Sequence, residues 1–288
     1  MKMIMKRILK RMLYVGGHRA SPRRIRILFY HSIDDSGSSM SASLEIFERQ
    51  MAFLKAEGYR ALSMSDYLNN QCHDDAASRK SVLITFDDGF KSIYLHAFPI
   101  LKRYGFTATI FLATDYIADS AHWISRDLDL IEDVILKSSA KKKDLEKIKQ
   151  ASGFPLLSWS EITEMSDYGI EFGSHTASHL WLGRTTREKA REDILRSKAV
   201  IGKILNRPVD WFSYPYSDYT PETKEIVREL GFRAACGGDP RVDRLPNDLY
   251  GIKRTGPAPM ESFFEFKFIF SPAYDWYIGM IGRLRGAR

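Results

Sequence analysis

One α/β domain built on a parallel sheet is the fold the sequence predicts, and three observations lead there. Strand and helix candidates alternate along nearly the whole chain, the pattern of a parallel sheet covered by helices. No Pro- or Ser-rich linker and no internal repeat divides the 288 residues, and 44% of them are hydrophobic, enough for one substantial core. The residues capable of chemistry stand just past strand candidates: His31, Asp87-Asp88, His175 and Pro215-Tyr216. About seven strand–helix units in one domain point to a barrel, and such barrels gather their chemistry at the C-terminal ends of the strands.

The elements follow in order. "RIRILFYHSI" (24–33) is the first strand, and residues 43–59 carry Leu44, Phe47, Met51 and Leu54 at helical spacing, with Gly58 as the stop. "RALSM" (60–64) is a short strand, followed by a small helix and a polar loop around 70–80. "SVLITF" (81–86) is an apolar strand, then a helix runs through "SIYLHAFPILKRYG" and a strand through "TATIFLA" (107–113). The Lys-rich segment 127–150 is helical, within an excursion from the main fold over about 119–150. Helix 158–169 leads into "IEFGSHTASH", and a helix covers 186–205. Strand "DWFSYPY" (210–216), helix 221–231, strand "FRAAC" and a last strand near "LYGIKRTG" complete the series.

Charge is concentrated rather than spread. Nine of the 43 Lys and Arg precede Asp34, where no Asp or Glu occurs, and the remainder is close to neutral despite the net charge of +7. That distribution excludes a uniformly basic nucleic-acid binder, and no glycine-rich phosphate loop is present. The arm, 1–24, opens with "MKMIMKRILKRMLYVGG", where Ile4, Ile8 and Leu9 recur at helical spacing among basic residues. Its apolar core is too short for a secretory signal, and no run approaches the roughly 18 apolar residues of a spanning helix. An amphipathic helix on an anionic membrane surface and a frayed soluble helix both fit. The C-terminal segment, 257–288, mixes Tyr274, Trp276 and Tyr277 with Arg283, Arg285 and Arg288, suiting a membrane interface or a helix docked on the domain. Cys72 and Cys236 lack metal-ligand spacing, and reduced thiols in a cytoplasm are the simpler expectation, with peripheral contact at the inner face of the membrane.

The site reading begins with Asp87-Asp88, two like charges at the end of an apolar strand. In isolation "DDG" is the sequence of a turn. His175 and His179 stand four apart, and on a helical turn that spacing puts both imidazoles on one face, able to grip one metal. Two imidazoles and one carboxylate make a catalytic metal set with positions left for water. A neighbouring carboxylate then has a separate task, because water attacking a carbonyl needs a base. The lone histidines His18, His73, His96 and His122 read as ordinary, and Trp123 and Trp159 read equally well as sugar platforms or as core.

"TFDDG" (85–89), "HTASH" (175–179) and "YPY" (214–216), in that order, resemble the polysaccharide deacetylases of carbohydrate esterase family four. "ILFYHSI" and "FERQMAFLKAEGYRALSM" are similar to the lineage whose domain opens with a "YH" strand, and the resemblance runs over about 25–256. It implies a distorted (β/α)7 barrel and metal-dependent removal of N-acetyl groups from amino sugars. It further implies Asp87 as general base, Asp88, His175 and His179 as ligands of a divalent metal, and the Tyr216 backbone N–H as an oxyanion donor, with Thr176, Ser178 and Pro215 in or beside the site. Zinc fits the ligands, with cobalt, nickel and manganese as alternatives. Three departures stand out. The arginine that often precedes the aromatic-Pro-Tyr run is missing from Phe212-Ser213-Tyr214; Ser217 replaces a common glycine; and no histidine follows His179 to act as the usual general acid. His31 is the candidate acid, equally readable as structural, and Arg254 in "GIKRTG" the candidate for the missing arginine.

The expected activity is hydrolysis of an N-acetylated amino sugar, with the basic arm and aromatic tail pointing to a lipid-linked glycan precursor in surface polysaccharide assembly. A glycan-binding scaffold that lost turnover and a deformylase of a formamido sugar are the alternatives.

Overall fold

The computed structural model describes residues 25–38, 40–70, 80–137, 142–237, 248–256 and 263–285. The basic arm and most of the polar loop around 70–80 lie outside the described residues.

The first strand, β1 (Arg26–Tyr30), is followed by a two-residue pair, β2 (Ser32–Ile33) and β3 (Ser41–Ala42). Helix α1 (Leu44–Ala56) starts where the Ser43 hydroxyl accepts the Ile46 N–H and buries Phe47, Met51 and Leu54. Then come β4 (Arg60–Leu62), α2 (Met64–Asn70) and β5 (Ser81–Phe86), the last buried at every residue. A π-type segment (Ile93–Ala97) runs into α3 (Phe98–Tyr104), and β6 (Thr109–Leu112) follows. The excursion contains α4 (Trp123–Arg126), α5 (Leu128–Lys137) and α6 (Lys142–Gln150). A reciprocal Ser158–Glu161 capping box starts α7 (Trp159–Tyr168). After β7 (Glu171–Ser174) come α8 (Arg187–Leu205), β8 (Trp211–Ser213), α9 (Pro221–Glu229) and β9 (Ala234–Cys236), then α10 (Phe263–Ile269) and α11 (Pro272–Arg285).

Every ladder of the main sheet is parallel, in the order β1-β5-β6-β7-β8-β9, with β4 also paired to β5. The expected last strand is reduced to bridges. Ile252 pairs with Cys236 of β9 and Thr255 with Leu28 of β1, so four residues close the ring between its two edges. The sheet thus curls into a distorted (β/α)7 barrel with helices outside. The strand expected over 210–216 ends at Ser213, because Pro215 has no N–H for a ladder and the chain enters a 3-10 turn, Pro215–Ser217.

Period-two alternation sorts the strand side chains. Ile27, Leu83, Phe111, Trp211, Ala234, Cys236 and Ile252 form one buried cluster, while their sequence neighbours Leu28, Ile84, Leu112, Phe212 and Ala235 join the larger core under the helices. The same parity carries on past the strands to His31, Asp87, His175, Ser213 and Arg254, on the side of the inner cluster at the C-terminal rim. Gly173 has no room for a side chain: a Cβ there would lie 2.6 Å from the Trp211 carbonyl.

The C-terminal helices dock on the domain. Phe266, Ile269 and Phe270 belong to the main core, Arg26 donates to both Asp275 oxygens (2.7 and 3.1 Å) and to the Ile269 carbonyl, and Trp276 stays exposed. No helix of the described residues is long and apolar enough to cross a membrane.

Candidate active site

Asp88 leaves β5 with φ 72 and Gly89 follows with φ 84, where a Cβ would press to 2.8 Å from Leu112. This left-handed pair turns the carboxylate out of the ladder, and glycine is the residue type that tolerates its second position. His175 Nε2 lies 3.4 Å and His179 Nε2 3.2 Å from Asp88 Oδ1, and all three side chains are buried. His175 Nδ1 donates to the Ser213 carbonyl (2.7 Å), which makes Nε2 the ring nitrogen that faces Asp88. Three possible ligand atoms thus stand within 4.8 Å of one another. Asp88 Oδ1 is buried with no hydrogen-bond partner, an arrangement that a cation between carboxylate and imidazoles would satisfy. The donor set therefore fits a divalent metal. Burial alone would raise the Asp88 carboxyl; the two imidazoles outweigh it and hold the group ionised, far below the ordinary range. His179 is pushed down, by burial first, which favours the neutral ring that ligates metals.

The histidine pair does not sit on a helical turn. Residues 175–179 are an irregular loop with Thr176 at φ 65 and His179 at φ 53, and Asp193 of α8 holds it. The Ala177 and Ser178 N–H groups donate to Asp193 Oδ1 (2.8 and 3.1 Å) and the Ser178 hydroxyl to Oδ2 (2.8 Å). Thr176 is fully buried and its hydroxyl accepts the Leu180 N–H, so it frames the loop instead of facing an open surface.

Asp87 has a different environment. Arg254 Nη1 and Nη2 donate to its two oxygens at 2.8 and 2.6 Å, a bidentate pair buried at both ends. Nη1 also donates to the Thr85 hydroxyl (3.1 Å) and Nη2 to Ser213 Oγ (3.0 Å). Thus an arginine from the closing segment supplies the partner of Asp87, and Ser213, next to the third motif, holds that arginine in place. Burial opposes ionisation of Asp87, but Arg254, with His175 behind it, holds the carboxyl below its ordinary value. His31 stands edge-on to Phe29 and close enough for its charge to act on both Asp87 and Asp88. The Cys236 thiol, pushed up to about 12 by burial, is inert.

Tyr216 occupies φ 57 in the 3-10 turn after β8, its ring stacked on Trp181 (3.8 Å, 11°) and edge-on to His179 (4.6 Å). Trp123 is buried and stacked behind His179 (4.7 Å), so it is wall rather than sugar platform; Trp159 packs against the core. Two acids that the motifs did not include prove central to this geometry, Asp193 and Asp127. Asp193 left a trace in the sequence as a polar residue on the buried stripe of α8, beside Ala190, Ile194 and Ser197. Asp127 left none.

A family model for polysaccharide deacetylase matches residues 74–235, more than half of the chain. The chain belongs to the polysaccharide deacetylase family. As a polysaccharide deacetylase it is a hydrolase acting on amide C–N bonds, and the family's metal dependence agrees with the buried Asp-His-His set. YxkH of Bacillus subtilis, itself named for this family, is 28% identical over 238 residues, covering 83% of this chain and 73% of its own. The poly-beta-1,6-N-acetyl-D-glucosamine N-deacetylase of Staphylococcus aureus is 23% identical over 233 residues, 77% of this chain and 70% of its own. Among solved structures, IcaB from Ammonifex degensii superposes with a TM-score of 0.64 at 26% identity, covering 82% of this chain and 93% of that one. The Streptococcus pyogenes deacetylase PplD, in complex with acetate, shares the fold with a TM-score of 0.65 at 23% identity, over 84% and 95% of the two chains.

Proposed function

We propose that this polysaccharide deacetylase removes the N-acetyl group from an amino sugar, with Asp88, His175 and His179 holding a divalent cation, zinc being the best match to the ligands. The observation that carries the reading is the pair of adjacent carboxylates with unequal partners: Asp88 faces two imidazoles, Asp87 a guanidinium. When bound, the cation supplies Lewis-acid polarisation of the acetyl carbonyl and of the attacking water. Asp87, kept ionised by Arg254, takes a proton from that water, and the bidentate contact fixes the plane of its carboxylate. The Tyr216 N–H, at the start of a 3-10 turn where amides lack intrahelical partners, donates to the oxygen that gains charge. His31, on the same rim, delivers a proton to the departing amine, leaving acetate and a free amino sugar; Pro215 and Tyr216 shape the substrate side.

The Staphylococcus aureus relative makes poly-N-acetylglucosamine the first polymer to test. The basic arm and the exposed Trp276 favour a lipid-linked precursor reached from an anionic, cytoplasmic membrane face. The test is a screen for acetate release from acetylated polymers, nucleotide sugars and lipid-linked sugars, with the full chain and with residues 1–20 removed. Acetate from one class, with activity on vesicle-borne substrate lost in the shortened chain, is the expected result. No acetate from any class defeats the reading, formate in its place reassigns the acyl group, and unchanged vesicle activity removes the membrane part.

A further inference from the structure

Asp127 follows α4 in the excursion, outside every motif, yet it is 6% exposed and accepts four hydrogen bonds from three segments. Arg126 Nε donates to Oδ1 (2.6 Å) and Arg126 Nη2 to Oδ2 (2.7 Å). Oδ2 also accepts the Trp181 indole N–H (3.0 Å) and the Tyr216 phenol (2.9 Å). Arg126 in turn donates through Nη1 to the Ser178 carbonyl (2.8 Å) and through Nη2 to the His179 carbonyl (3.1 Å). One adjacent ion pair therefore touches both the loop that carries a metal ligand and the turn that carries Tyr216. A buried carboxylate is costly unless donors surround it. Here two of the four come from the adjacent Arg126 and the other two from Trp181 and Tyr216, beside the two loops whose relative placement matters. Tyr216 is an aromatic residue at φ 57, a conformation that persists only where the surroundings impose it. Two backbone bonds close the turn, the Ser217 N–H on the Tyr214 carbonyl and the Asp218 N–H on the Pro215 carbonyl (3.0 Å each). The ring is pinned by its phenol on Asp127 and its stacking on Trp181.

We infer that Asp127, oriented by Arg126, is a positioning residue that braces the Tyr216 turn against the His175–His179 loop and so aims the Tyr216 N–H at the reacting carbonyl. The inference rests on the proposed role of that N–H and adds a residue to it. Asp127 touches no reacting atom. Its effect passes through the phenol to the backbone, so removing the anchor lets φ relax and the donor swing while the three metal ligands stay in place.

The experiment pairs Asp127→Asn with Tyr216→Phe, which keeps the backbone N–H and removes only the hydroxyl. Each variant alone lowers kcat about tenfold to hundredfold, the scale of a misplaced donor. KM and zinc stoichiometry stay within about twofold of the parent. The double variant loses no more than the worse single one, because both break the same link. Losses that multiply in the double variant, or that track loss of zinc, overturn the brace. A readout independent of turnover accompanies the kinetics: crystal structures of the two variants, in which Tyr216 leaves its positive φ. A φ unchanged near that of the parent in both variants also overturns the proposal. If the parent releases no acetate, the functional reading falls, while the conformation of Tyr216 still decides the brace.

Discussion

The proposed metal half and the proposed proton half of the site share a strand end yet are assembled in opposite ways. Asp88, His175 and His179 come from two short motifs, each directly after a strand, and meet at the barrel rim across β6, which lies between β5 and β7. Asp87 is completed by Arg254, 167 positions away, in a segment with only isolated bridges that closes the ring between β9 and β1. The metal half depends on local backbone turns, the proton half on closure of the whole barrel. Damage to closure should therefore injure proton transfer first and spare the ligands.

Arg254→Met breaks that comparison most severely. It leaves a buried carboxylate unpaired, which costs about 3–5 kcal/mol of stability. It also lifts the restraint that holds the Asp87 carboxyl below its ordinary value of 3.8. With a depressed folded pKa, the stabilisation from Asp87 is present above the unfolded value and lost as pH falls through the folded one. In the variant burial is no longer outweighed by Arg254, so the folded pKa rises. The stabilisation from ionised Asp87 is then lost even at neutral pH, and the acid limb of kcat/KM moves upward. Thermal unfolding and rate profiles across the acid range measure both; profiles that superpose on the parent's would detach Arg254 from the base.

Asp193→Ala sharpens the other side with a smaller effect. It strands the buried Ala177 N–H, at about 1–3 kcal/mol for a buried donor left unmade, and the half-buried Ser178 N–H at less. Because it releases the loop under both histidines, metal affinity falls about tenfold to hundredfold. The acid limb set by Asp87 and Arg254 stays where it is. Metal titration of the folded variant checks this, and unchanged affinity would show that the loop holds its shape without α8.

The same contrast explains what could be read from the sequence. Strand β5, the helices beginning at Ser43, Ser158 and Thr220, and the motif residues after β5 and β7 announce themselves through apolar runs, caps and local spacing. The four-residue spacing of the histidines was legible but not its cause: positive φ at Thr176 and His179, imposed by Asp193, does what a helical turn was expected to do. Arg254 was visible as a residue of the last expected strand, whereas its pairing with Asp87 depends on a ring closure made of isolated bridges, which strand patterning does not disclose. Asp127 lies in a charged stretch where solvated acids are ordinary, and only the fold shows that it is buried among donors.

The central claim is that two neighbouring carboxylates have separate tasks. Zinc stoichiometry and acetate release measured side by side for Asp87→Asn and Asp88→Asn test it most directly. The account predicts that Asp87→Asn binds zinc like the parent and loses about 10²–10⁴-fold in turnover, the range of a missing general base. Asp88→Asn should lose zinc and turnover together. Zinc lost equally from both variants, or turnover retained by Asp87→Asn, would contradict the division.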